Sequence, residues 1–195
     1  MRGEETETYA LIERYGAGQN TIYILPGSHN KYVFVDESST ILATSTTLSG
    51  ELLNSIVNDT IVSSSVDHGF PTMEHYNLEM IQYGCEMHRK EGIGRALFLT
   101  RLLIGLVNSQ NIICRTMFSE LYWKVISLPF TMQLFFEDTM NVRIVIHGNG
   151  AFSHALYDLL KDDPAFHNIV LDNSEEIPIA AQGAYHLAMK NLQMR

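Results

Sequence analysis

The stretch from Thr21 to Thr47 constrains this chain more than any other. TIYIL at Thr21–Leu25 is β-branched and aromatic, Pro26-Gly27 interrupts it, and KYVFV at Lys31–Val35 resumes the same character. Two such runs around a turn-forming pair predict a β-hairpin. TILATSTT at Thr40–Thr47 follows a tight connection through Asp36, Glu37, Ser38 and Ser39, and supplies a third strand. Next come Leu52, Leu53, Ile56 and Val57 at helical spacing, with Ser49 as the expected N-cap and Glu51 in the first turn.

The rest of the chain changes period. Val62–Pro71 is rich in Ser, Asp, Gly and Pro and reads as a loop. Three helical stretches follow, near His75–His88, Ile93–Asn108 and Ile112–Ser127, and they look like an insertion spanning about 72–135. Val142–Ile146 is the unbroken apolar run of a strand covered on both faces, and it ends at His147-Gly148-Asn149-Gly150. Phe152, Ala155, Leu156, Leu159 and Leu160 make an amphipathic helix. Asn168–Leu171 is a further strand, and Ala181–Leu192, with Pro178 in an early turn, is a last helix. The succession is strand, strand, strand, helix, helical insertion, strand, helix, strand, helix. It predicts an α/β fold with a mixed sheet and helices on its faces. By analogy, this is the half-unit of the ribonuclease-H-like, actin-like ATPase architecture.

Composition narrows the function. With 13 Lys+Arg against 22 Asp+Glu the formal charge is −9, which excludes the basic footprint a nucleic-acid binder needs. Cys85 and Cys114 form neither a CxxC pair nor a disulfide framework, and fit a reducing, cytoplasmic setting. Met1–Tyr9 carries Arg2, Glu4, Glu5 and Glu7 and lacks the apolar core of a secretory signal. The apolar runs Leu97–Val107 and Leu121–Phe136 are broken by Arg101, or by Lys124 and Pro129. Both fall short of the ~20 residues that span a bilayer, so they read as buried helices rather than membrane segments.

Three places combine glycine with polar groups at strand ends, where α/β proteins gather ligands. In Pro26-Gly27-Ser28-His29-Asn30-Lys31, glycine admits close backbone approach to a phosphate, with Ser28, amide N–H groups and Lys31 as donors. The same residues also make an ordinary turn. Gly148-Asn149-Gly150 opens a helix N-terminus to an anion or to the flat face of a base, and is equally a small-residue connection. Glu4 or Glu5, after Gly3, could act as a general base toward a hydroxyl, or could simply be solvated. The histidines lack metal-ligand spacing, so no protein metal site is predicted.

Taken together, these segments resemble the 2-dehydro-3-deoxygalactonokinase family of the actin-like ATPase superfamily. MRGEET at Met1–Thr6 is similar to the family's MRGEETQ, TIYILPGSHNKYV at Thr21–Val33 to its PGTHxKWV, and TTLSGELL at Thr46–Leu53 to its TxLTGEL. RALFLTR at Arg95–Arg101, VIHGNGAFSHAL at Val145–Leu156 and AQGAYHLA at Ala181–Ala188 match more loosely. The resemblance implies phosphorylation of the primary hydroxyl of 2-dehydro-3-deoxy-galactonate by ATP with Mg²⁺. Glu4, or Glu5, would take the place of the carboxylate held against the accepting hydroxyl. Gly27, Ser28 and His29 would cradle the transferring phosphate with help from Lys31, and Gly148, Asn149 and Gly150 would lie at the adenosine. Ser28 stands for the family's Thr and Tyr32 for its Trp, while Asn30 falls at a variable position; Asn149-Gly150 replaces Ser-Ser, and Asn111–Phe136 lacks the SGLLIGxE pattern. The Asp-x-Gly-x-Thr phosphate turn of the other half-unit is missing. Asp36-Glu37-Ser38-Ser39-Thr40 keeps its Asp and Thr but has Ser38 for the glycine, and reads as a turn.

The expectation is therefore a C-terminal kinase lobe over residues 1–195. It would take a sugar acid as substrate and an absent N-terminal lobe, a second chain or another copy of itself as partner. The alternatives are a non-catalytic nucleotide-binding or assembly module, or a remnant with an exposed apolar face.

Overall fold

The computed structural model describes residues 3–66, 68–70, 72–102, 132, 134–136, 140–174 and 177–193, with backbone only at residue 75. The predicted meander is β1 (Thr21–Leu25), β2 (Asn30–Val35) and β3 (Ile41–Thr47), paired antiparallel in sequence order. β4 (Arg143–His147) and β5 (Asn168–Asp172) extend the sheet in parallel on the far side of β1, giving the order β3-β2-β1-β4-β5. The mixed α/β sheet is as expected. Every residue of β1 and β2 is buried because both sheet faces are covered, whereas β3 lies at the edge and alternates.

Strand parity divides the core. Ile22, Ile24, Tyr32, Phe34, Ile144 and Ile146 face α2 (Ser49–Asp59) and α5 (Ala151–Lys161), meeting Leu53, Ile56, Val57, Ala155 and Leu156. Leu53 and Ala155 are wholly buried, and truncating a leucine in such a place costs roughly 2–5 kcal/mol. Tyr23, Leu25, Val33, Val35 and Val145 face α1 (Glu4–Tyr15) and α6 (Ile179–Gln193). α1 and α6 pack closely. A Cβ on Gly183 of α6 would lie 1.7 Å from the Thr6 carbonyl oxygen, so only glycine lets the two backbones approach this far.

α1 was not foreseen. The acidic start reads as a solvated terminus, yet Glu4–Tyr15 is helical and buries Thr8, Ala10, Leu11 and Ile12. Ser49 is not an N-cap either. The cap position is Leu48, Ser49 is the first helical residue, and its hydroxyl bonds Thr47 Oγ1 at 2.8 Å. The insertion contributes α3 (Leu78–Glu91), capped by the Asn77 side chain accepting from Met80 N–H at 3.1 Å, and α4 (Ile93–Leu102). Of the expected helix Ile93–Asn108, the part beyond Leu102 lies outside the described residues, and α4 buries Ala96 and Thr100 while Phe98 and Leu102 are exposed. The third expected helix, Ile112–Ser127, Cys114 and most of the run Leu121–Phe136 lie outside the described residues. The Val62–Pro71 loop holds a short 3-10 turn at Ser63–Ser65. Asp36–Thr40 is a turn, with Asp36 Oδ1 accepting from Ser38 N–H at 2.9 Å and Thr40 N–H at 2.8 Å. Among the described residues, no helix is long and apolar enough to cross a membrane.

Candidate active site

The turn joining β1 to β2 is held from two sides. Gly27 N–H donates to Asn30 Oδ1 at 2.9 Å, and Asn30 is 1 % exposed, so a buried amide fixes the turn from within. From above, Glu51 N–H donates to the Ser28 carbonyl at 2.9 Å. That bond satisfies one of the donors a helix N-terminus leaves open, in place of a side-chain cap. It requires Gly50, because a Cβ there would lie 2.3 Å from Gly27 O and 2.8 Å from Ser28 Cα. The SGEL segment thus has a physical reason: its glycine is where α2 sits on the turn. His29 turns outward and bonds Glu51 Oε2 through Nε2 at 2.9 Å, both side chains being exposed.

The opposite wall is the β4–α5 junction. Gly148 has φ 117°, a conformation that favours glycine, and its N–H donates to the Asp172 carbonyl at 2.9 Å. Ser153 Oγ donates to the His147 carbonyl at 3.2 Å and fills the space a Cβ on Gly148 would need. α5 starts after Gly150 with no side-chain cap bond. Its open N–H groups and positive dipole end make this a favourable place for an anion. Between the two walls lies a cleft of about 610 Å³, with Gly27 and Ser28 on one side and Gly148, Asn149 and Gly150 on the other. The volume lies in the range of small-molecule sites.

The remaining expected residues lie elsewhere. At one level across the α1-covered face of the sheet, the strand registers set Lys31 beside Leu25 and His147 beside Asp172. The inward side of α1 answers this row with charge. Glu4 Oε1 is 3.5 Å from Lys31 Nζ, and Arg14 meets both Asp172 oxygens at 2.7 Å. Asp172 also accepts from Ser174 Oγ at 2.9 Å and bonds His147 Nδ1 at 2.9 Å. Lys31 is therefore buried against Glu4 and does not line the cleft. Glu5 is exposed, its carboxylate accepting from Gly3 N–H at 2.8 Å.

The row shifts protonation. Burial pushes the Asp172 carboxyl up, but bonds from His147, Ser174 and Arg14, with the Arg14 charge, outweigh burial and hold it below the usual carboxylate range. Burial raises Glu7, with the His147 charge opposing and Glu4 adding to the rise. Burial, then the charge of Asp172, carries Tyr15 up to about 12. Glu7, Arg14, Asn30, Gly50 and Asp172 were not singled out from sequence. Asn30 and Gly50 had a signal, lying within the TIYILPGSHNKYV and TTLSGELL segments. Among the described residues, no three His, Cys, Asp or Glu side chains gather as a metal site.

A family model for 2-keto-3-deoxy-galactonokinase matches residues 1–116, which carry α1, the Gly27–Ser28 turn and the Gly50 contact. The chain belongs to the 2-keto-3-deoxy-galactonokinase family. Among solved structures, it is similar to a Sinorhizobium meliloti protein assigned as a 2-dehydro-3-deoxygalactonokinase, with a TM-score of 0.73 and 18% identity over 96% of this chain. That likeness speaks for a shared fold. The chain spans 59% of that protein's length. Among curated proteins none matches.

Proposed function

We propose that this chain is one lobe of an ATP-dependent kinase that phosphorylates the primary hydroxyl of 2-dehydro-3-deoxy-D-galactonate to give the 6-phosphate. One observation carries the reading: the glycine turns at Gly27-Ser28 and Gly148–Gly150 line the two walls of one cleft, at an uncapped helix N-terminus, in a member of this kinase family. Phosphoryl transfer asks mainly for positioning and charge stabilisation, which such backbone sites supply. Gly27 and Ser28 meet the transferring phosphate, while His29, turned out to Glu51, does not, and the Gly148–Gly150 turn meets the adenosine.

Glu4 is the base that accepts the hydroxyl proton, with Glu5 as the alternative. Lys31 pairs with Glu4 rather than with phosphate, its Nζ lying 3.5 Å from Glu4 Oε1. Mg²⁺ would enter with the nucleotide, held chiefly by its phosphates, and no step is assigned to the metal. The remaining lobe, supplied by more of the same protein or by another chain, completes the sugar-acid site.

The test is ADP release coupled to a spectroscopic readout, on this chain with and without an N-terminal lobe. Very slow turnover alone and recovery on adding the lobe are expected, with Glu4→Gln lowering the recovered rate by about 10²–10⁴-fold. Robust turnover by the lone chain sinks the half-enzyme reading. Nucleotide binding that ignores Glu4→Gln, with no phosphorylation under any complementation, favours a non-catalytic nucleotide-binding module instead.

A further inference from the structure

Two phenylalanines complete the cleft between the glycine turns, and neither belongs to a glycine turn. Phe70 stands in the loop after α2, and Phe152 in the first turn of α5. Their ring centroids are 6.3 Å apart, with planes inclined by only 20°. Phe70 is 45% exposed. A lone exposed phenylalanine needs no explanation. Two nearly parallel, stacked rings lining a cleft present an apolar aromatic surface to it. We propose that Phe70 and Phe152 form the platform on which the nucleotide's base stacks, so that this lobe favours a phosphate donor with a large aromatic base.

This rests on the reading that a nucleotide enters the cleft, and it says which end goes where. A sugar acid offers such a wall only the small C–H patch of a hydroxylated, charged ring, far less than the π-face of a base. A base has a π-face, and stacking on aromatic side chains tolerates any base because each has one. Phe152 follows directly on the Gly148–Gly150 turn, which puts the base at this wall and leaves the phosphates to reach toward Gly27 and Ser28. Among the described residues, the polar side chains lining the cleft are Ser28, Glu51, Asn54, His147, Asn149 and Ser153. The expected preference is therefore purine over pyrimidine, because the larger ring system stacks over more area.

The experiment is calorimetry on the 195-residue chain with ADP, GDP, UDP and inorganic pyrophosphate, comparing the parent with Phe70→Ala and Phe70→Trp. Phe70 is exposed enough for both variants to fold, which circular dichroism checks. Base–aromatic stacks removed by alanine typically cost about 5- to 150-fold in affinity. Phe70→Ala should weaken ADP and GDP in that range and UDP less, leaving pyrophosphate unchanged. Phe70→Trp should keep ADP affinity and show fluorescence quenching by ADP, but not by pyrophosphate, beyond that of the parent, which holds only Trp123. If Phe70→Ala binds ADP as tightly as the parent, the platform is refuted and the kinase reading stands. If ADP and pyrophosphate weaken together, Phe70 is shaping the cleft rather than stacking a base, which also refutes the platform. A parent that binds none of the four overturns both.

Discussion

Gly50→Ala is the sharpest probe of how this site is built. A Cβ at position 50 would stand 2.3 Å from Gly27 O, 2.8 Å from Ser28 Cα and 3.0 Å from Gly27 C. All three are backbone atoms, so no rotamer change relieves the overlap. To bring the oxygen out to 3.0 Å, the turn or α2 must shift by at least about 0.7 Å, and overpacking of this kind costs roughly 1–3 kcal/mol. Gly94 makes a matched control. Like Gly50 it is the second residue of its helix, but a Cβ there meets nothing within 4 Å. Helix propensity, which favours alanine by up to about 1 kcal/mol, acts similarly on both, and the difference isolates the contact. In urea unfolding at constant m, Gly50→Ala should fall about 1–3 kcal/mol below Gly94→Ala. The matching gap in Tm is between about 2 and 12 °C for a chain of this size. The same shift stretches the 2.9 Å bond from Glu51 N–H to Ser28 O and moves Ser28 within the cleft. Equal stability of the two variants, with Ser28 unmoved, would refute the argument that α2 rests on the turn through this glycine.

Three further outcomes follow from the buried charges and the thiol. Asp172→Asn breaks a buried pair with Arg14 and should cost about 2–4 kcal/mol at pH 7 by urea titration. Because the native carboxyl is held low, its contribution is present above pH 3.8 and lost as pH falls through the lower native value. The gap from the parent must therefore narrow in acid, and a constant gap contradicts the assignment. Glu7 has the opposite sign: raised by burial, it favours the fold below pH 4.5 and loses that contribution as pH climbs through its native value. Glu7→Gln should thus stabilise the chain at pH 7 by less than about 1 kcal/mol after screening, and a loss of stability there shows the sign is wrong. Burial pushes the Cys85 thiol up to about 12. Iodoacetamide at pH 8 should leave the Cys85 peptide unmodified until the chain is unfolded, by mass mapping, whereas prompt native labelling rules out the buried site.

The strands were legible because each is a short apolar run closed by a turn signal, and their parity alone places Lys31 with Val33 and Val35, away from Tyr32 and Phe34. Applied to Lys31, that parity separates it from the face on which α2 and α5 pack. α1 escaped because periodicity rules look for an apolar inward stripe, and its inward side carries Glu4, Glu7 and Arg14, whose partners are charges on the sheet. Asn30 looked like a freely varying turn residue, yet its buried amide fixes Gly27. Arg14 and Asp172 are far apart in sequence, and only the parallel pairing of β4 with β5 sets Asp172 beside His147. The cleft shares that origin: each glycine turn is readable alone, but their meeting depends on β1 pairing with β4.

The seat of Gly183 on the Thr6 carbonyl also sets an order of assembly. Within this lobe α1 is made before the sheet, but α6, which forms much of its packing surface, is made after it. Until then Glu4 has Lys31 on β2 for a partner, but Arg14 must wait for Asp172 at the end of β5, and nothing covers the helix that carries them. The meander and α2 can pair from local contacts, whereas α1 must wait for a contact across nearly the whole described chain, and closing such loops is slow. A ribosome-stalled chain ending before α6 should show a protected β1–β2 hairpin beside a protease-sensitive α1.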